Sequence, residues 1–215
     1  MEQENANEES VTEPVEDVRP NENGQIAISG HIKIFDPNSG EVIVDKRNAI
    51  HYENISEALA NSLANKAVGQ IYSMAFGNGG SSVDPTGVIT YLPANSTGQS
   101  ADLYNKTYSK VVDDTSSLNT DPIRNKIVVS HTTSLVYTDI VVSCLLDYGE
   151  PNGQQAFDTA TDADNAYVFD ELGLRSYSSS GEGRLLTHVI FHPVQKSLNR
   201  LIQIDYTVRV QSLTG

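Results

Sequence analysis

The sequence predicts a mainly β protein: an antiparallel β-sandwich or barrel-like domain with one short α-helix at about residues 54–66, long polar loops and an extended acidic N-terminal arm. Three observations carry this. In residues 202–211, Ile202, Ile204, Tyr206, Val208 and Val210 fall on one side, and Gln203, Asp205, Thr207, Arg209 and Gln211 on the other. A period of two is the mark of a strand with one buried face and one face left to water or a partner. Trp is absent and Ser, Thr, Asn and Gly are abundant, a composition of strands joined by polar turns. Helical spacing is convincing in one segment alone, residues 54–66.

Residues 1–24 differ from the rest. Glu2, Glu4, Glu8, Glu9, Glu13, Glu16, Asp17 and Glu22 stand against a single Arg19, a net charge of −7, half of the −14 of the whole chain. Beyond Met1, the sizeable apolar side chains here are Val11, Val15 and Val18. Such a segment buries too little apolar surface to offset the entropy of ordering it. It reads as an arm that orders on a partner, with the three valines as small anchors and the carboxylates against basic groups. Residues 25–215 read as a single β-rich assembly domain. MEQENANEES has no basic start and no apolar core, so no signal peptide is expected. No run approaches the roughly 20 apolar residues of a membrane span. A soluble chain made in the cytosol is the expectation. The excess of acids, 28 against 14 Lys and Arg, argues against binding nucleic acid or an anionic membrane through a broad basic face.

Residues 25–35 alternate, with Ile26, Ile28, Ile32 and Ile34 on one face, and DPNSG at 36–40 is a turn that returns the chain as a strand over 41–45. Asn54 followed by Glu57 predicts a helix N-terminus, with Ile55, Ala58, Leu59, Ser62 and Leu63 as its apolar stripe and an end near 65–69. Residues 70–76 predict a strand entering the glycine-rich GNGGSS. Residues 84–121 are loop-rich, with short strands expected at 88–92 and 107–112. Strands are expected at 126–130 and 134–148, an apolar segment at 167–174, and a flexible loop at SYSSSGEG, 176–183. Residues 185–192 form another apolar run. The polar segment 193–199 begins with Pro, so 185–192 and 202–211 are expected to form a long-looped antiparallel pair.

The chemistry-bearing residues do not assemble into a known constellation. GNGGSS lacks the GK[ST] of a phosphate loop and opens no helix, so a glycine-rich turn is expected. Asp158, Asp162, Asp164, Asp170 and Glu171 form an acidic cluster. Counted from Asp162, Tyr167 stands where an EF-hand needs Gly and Gly173 where it needs Glu, so a solvated acidic loop is expected. His188 and His192 would lie about 13 Å apart on a strand, too far to share a metal. They read as partly buried or interface histidines. Cys144, the single cysteine, sits in the apolar run IVVSCLLDY and reads as a core residue. GxSxG, HExxH and CxxC are all absent, so neither an enzyme nor a cofactor is expected.

Three segments together resemble virion structural proteins of tailed bacteriophages, the kind found as neck, tail or baseplate components. They are KRNAIHYENISEALANSL (46–63) with IYSMAFGNGG (71–80), VFDELGL (168–174), and LLTHVIFHPVQKSLNRLIQIDYTVRV (185–210), 61 of the 215 residues. The resemblance implies a non-enzymatic structural component that oligomerises in the neck or tail region and joins adjacent virion proteins. Its partners would be other copies of itself and neighbouring virion proteins. It would be made in the host bacterial cytoplasm and end in the virion. A capsid-decorating virion protein is the alternative within that class, and a surface β-sandwich binding glycan or calcium the alternative outside it. A polar sheet face suits side-by-side assembly. Gln203, Asp205 and Arg209 are therefore the expected partner-facing residues, with Val11, Val15 and Val18 of the arm.

Overall fold

The computed structural model describes residues 24–151 and 167–213. The arm expected over 1–24 lies outside them but for Gly24. In chain order the elements are β1 (Gln25–Phe35), β2 (Val42–Arg47), β3 (Ala49–Ile50), α1 (Tyr52–Leu63), β4 (Ile71–Gly77), β5 (Ser81–Val83), β6 (Ile89–Tyr91), β7 (Lys106–Val111), β8 (Lys126–His131), β9 (Tyr137–Leu146), β10 (Tyr167–Ser178), β11 (Gly181–Leu185), β12 (Thr187–Lys196) and β13 (Ile202–Leu213).

β1 and β2 form the expected hairpin. The Asp36 carboxylate accepts the N–H groups of Asn38 and Ser39 at 2.8 and 3.3 Å, and Gly40 takes a φ of +76°, which a side chain would strain. The first sheet runs β2-β1-β13-β9-β8 and the second β3-β12-β10-β4-β7, with β11 folded back on β10 and a small hairpin of β5 and β6 apart. Every pairing is antiparallel.

The two sheets face each other. Ile32, Ile34, Val142, Cys144, Ile204 and Tyr206 of the first meet Met74, Phe76, Phe169, Leu172, Leu174 and Phe191 of the second in one buried cluster. Phe169 lies edge-to-face on Phe76 and Phe191, with ring centres 5.4 and 5.7 Å away. The fold is a β-sandwich, as the alternation predicts. The second sheet is covered on its outer face too. Ala75 packs there with Leu103 and Leu185, and Ile55 and Ala58 of α1 pack with Ile50 and Leu186. A strand buried on both faces loses its polar alternation, which is why residues 71–77 are nearly all buried.

Five expectations are corrected. β12 and β13 do not pair. β12 pairs with β10 and β3, whereas β13 pairs with β1 and β9, so the segment between them crosses from sheet to sheet. β12 also continues through Pro193, which sits in a register shift against β10 where the ladder is interrupted. The helix starts at Tyr52, not at Asn54. Its cap is His51, whose Nδ1 accepts the Asn54 N–H at 3.3 Å, while the Asn54 side chain turns inward to donate to the Leu185 carbonyl at 2.8 Å. The buried stripe shifts accordingly, and Leu63 is exposed. SYSSSGEG is no loop, because β10 runs on to Ser178 and turns tightly into β11 at Gly181, φ +109°. Asp170 and Glu171 belong to no solvated loop, because both are buried in β10.

Candidate functional site

Two of the polar clusters hold residues singled out by the sequence: the outer face of the first sheet and a buried node beneath the glycine turn. Gln203, Asp205 and Arg209 share the outer face of β13, the middle strand of the first sheet, and each is partly exposed. Their neighbours Ile202, Ile204, Tyr206 and Val208 are buried, as the period of two requires, although Val210 is only partly so. The ladder sets Asp205 between Lys33 and Ser143, and Arg209 between Ser29 and Asp139. Ser143 Oγ and Gln203 Nε2 donate to Asp205 Oδ1 at 3.0 and 3.1 Å.

Arg209 donates from Nε and Nη2 to the two Asp139 oxygens at 2.7 and 2.8 Å, and its guanidinium carbon sits 3.8 Å from the centre of the Tyr137 ring. These bonds hold the Asp139 carboxyl below its usual range and raise Arg209 further. Farther across the face, His31 Nε2 lies 2.7 Å from Asp45 Oδ1. A shallow hollow of about 500 Å³ opens over His31, Arg47, Asp139, Thr207 and Arg209. Chemically this face offers mixed charges and hydrogen-bonding groups held in fixed positions by one another. Such a face can ion-pair with a neighbouring protein surface. Val11, Val15 and Val18 lie outside the described residues.

The node is built from the strand that sequence reading places in an acidic loop. Glu171 Oε1 accepts the N–H groups of Gly79 and Asn105 at 3.1 and 2.8 Å, and Oε2 accepts Tyr104 N–H at 2.9 Å. His188 completes the set, with Nε2 3.0 Å from Glu171 Oε2. The Asn95 N–H donates to His188 Nδ1 at 2.8 Å, so Nε2 carries the proton and donates to the carboxylate. Asp170 accepts Gly80 N–H at 2.9 Å and both Ser81 N–H and Oγ–H, at 2.7 and 2.5 Å. Burial alone would raise the Glu171 carboxyl, but bonds from His188, Asn105, Tyr104 and Gly79 outweigh it and hold the group low. Burial wins at Asp170 and pushes it up, with the Glu171 charge adding to the rise.

The glycine run has a close-contact reason. A Cβ on Gly77 would stand 2.5 Å from both the Asn105 carbonyl and Glu171 Oε1. The N–H groups that a phosphate loop would turn to a ligand are here taken by the protein's own carboxylates. The node pins residues 78–105 to the second sheet.

His188 and His192 part company: His188 is fully buried, and His192 is exposed with Nδ1 3.3 Å from the Tyr91 hydroxyl. Cys144 is buried, and burial pushes its thiol up to about 12, so it is a neutral core residue. Asp158, Asp162 and Asp164 lie outside the described residues. Among the described residues no group of three or more His, Cys, Asp and Glu could hold a metal ion. Sequence reasoning missed Asp170, Glu171 and His188 as one unit. The available signal was an acid pair inside the apolar run YVFDELGL, where two carboxylates on a core strand need donors from elsewhere. No family model matches the chain, and no curated protein or solved structure matches it either.

Proposed function

We propose that this chain is a non-enzymatic structural component of a tailed-phage virion, which oligomerises in the neck or tail region and joins adjacent virion proteins. The observation that carries the reading is where the three resembling segments meet. Gly79 and Gly80 come from IYSMAFGNGG, Asp170 and Glu171 from VFDELGL, and His188 from LLTHVIFHPV, and they bond one another at the buried node. Motifs remote in sequence that build one node are motifs of a scaffold. The buried groups Asp170, Glu171, Lys196 and Cys144 have displaced proton affinities and are enclosed by protein partners, while the shifted pair Asp139 and Arg209 on the open face is explained by its own ion pair. The outer face of β13, with Gln203, Asp205 and Arg209, is the proposed contact surface, and its partners are other copies of the chain and neighbouring virion proteins. Among the described residues no helix is long and apolar enough to cross a membrane.

Mass spectrometry of purified phage particles, with an electron-microscopy map of the same particles, tests this. The expected result is a stoichiometric chain located at the neck or tail. Its absence from the particles removes the reading, and density spread over the head lattice replaces it with the capsid-decorating role.

A further inference from the structure

The first sheet ends at β8, and this edge differs from the others. An edge strand presents unpaired N–H and C=O groups that template further pairing, and folds blunt such edges with charge, proline, bulges or shortness. β2 carries Asp45, Lys46 and Arg47 and a register shift against β1. β3 is two residues long, and the length of β12 that β3 leaves uncovered holds Pro193 and a register shift. β7 carries Lys106 and Lys110 and a register shift against β4.

β8, reading KIVVSH, has none of these devices along its middle. It pairs with β9 over six residues without a shift, and among the described residues no strand lies on its other side. Val128 and Val129 are 46% and 67% exposed, and Leu135 and Val136, in the turn that follows, 41% and 54%. Val129 stands opposite Ile140, which packs on the core, so it projects from the core-forming face and is still uncovered. The strand also lacks carboxylates in a chain of net charge −14. Two copies can approach there without setting acid against acid.

We infer that β8 is a self-association edge: two copies pair their β8 strands antiparallel about a two-fold axis and join their five-stranded sheets into one continuous sheet. An axis perpendicular to the sheet keeps the core-forming faces on one side and passes midway between a residue and its own copy. Centred on Val129, it sets Val129 against its own copy, Ile127 against His131, Val128 against Ser130 and Lys126 against Thr132. Each Val129 then covers the other, and no like charges face. The inference rests on the self-association part of the proposed reading and on nothing about the virion.

Sedimentation equilibrium of the full chain at up to about 100 µM tests it, beside the double variant Val128→Lys, Val129→Lys. The wild type is expected to form dimers or larger assemblies. The double variant is expected to associate at least about tenfold more weakly, with unchanged melting at a dilution where both proteins are monomeric, because both side chains are largely exposed in the single chain. Separately, Val129→Cys under mild oxidation is expected to give a disulfide-linked dimer, since directly opposed residues lie about 4.5–5.5 Å apart, within disulfide range. Val42→Cys on β2 is the control, and buried Cys144 does not compete. A wild type that stays monomeric, a lysine variant that assembles like its parent, or a Val129→Cys that links no better than the control overturns the inference. If the lysine variant does not fold, the cysteine pair decides. Assembly indifferent to the lysines removes β8 and leaves self-association through another surface standing. A monomeric wild type removes both, while the particle's composition still tests the virion role on its own.

Discussion

Glu171 keeps its charge where burial opposes it. Four donors meet its two oxygens, so the ionised form is favoured and the folded-state pKa lies below the ordinary 4.5. Its charge therefore stabilises the fold above that value, and the contribution is lost as pH falls through the lower folded-state pKa. Glu171→Gln keeps the shape but turns an NH₂ toward donors. It is expected to cost about 2–4 kcal/mol at neutral pH, with the gap to the parent narrowing in acid. Urea unfolding of both proteins between about pH 3 and 7 measures this, and a constant gap would show that the charge is not what stabilises. Lys196 is the opposite case. It is fully buried, donates to the carbonyls of Asp147 and Ser197 at 3.0 and 2.8 Å, and burial lowers its pKa from 10.5 to about 8. The folded state sheds this proton first, so the penalty, up to about 3 kcal/mol, is full below pH 8 and fades toward 10.5. The parent is therefore expected to gain stability over Lys196→Met as pH rises from about 8 to 10. Parallel melting curves across that range would show that no charge is buried there.

Strand faces were legible in the sequence and strand partners were not. The alternation of residues 202–208 tells which side of β13 is buried, and it also places Gln203, Asp205 and Arg209 outward. It says nothing about whether β12 lies beside β13 or across the core from it, because both arrangements demand the same pattern. The buried node was illegible for a related reason: the donors to Asp170 and Glu171 come from residues 79–81, 104–105 and 188, far along the chain. The helix cap failed locally, since Asn54 fits a cap until the Leu185 carbonyl draws its side chain inward. The legible part is also the part easiest to break. Ile204 is fully buried between Ile34 and Cys144 in the ladder. Ile204→Asp is expected to cost about 3–5 kcal/mol through an unpaired buried charge. A variant melting within about two degrees of the parent would place this face in water.

At the scale of the molecule, the described core cluster is drawn from Ile32 to Val208. No metal-holding group occurs among the described residues, so a chelator is expected to leave the melting temperature unchanged. A large drop restored by calcium would favour the binding-module alternative over the virion role. The arm carries half of the net charge, −7 of −14. A segment with three valines and eight acids gains little from its own domain, whose charge is also negative, and more from a basic partner surface. Deleting residues 2–22 is therefore expected to leave the domain folded and as heat-stable as before, while incorporation into the particle falls. The electrostatic share of arm binding should weaken with added salt over the range where the Debye length shrinks to about 8 Å and below. Two measurements decide: the melting temperature of the deleted chain, and its copy number in particles relative to the intact chain. Loss of the folded domain on deletion would make the arm part of the core and remove the reading of it as a partner-binding segment. Unchanged incorporation with an intact domain would leave the arm without a role in assembly and throw that role back on the outer face of β13 and the β8 edge.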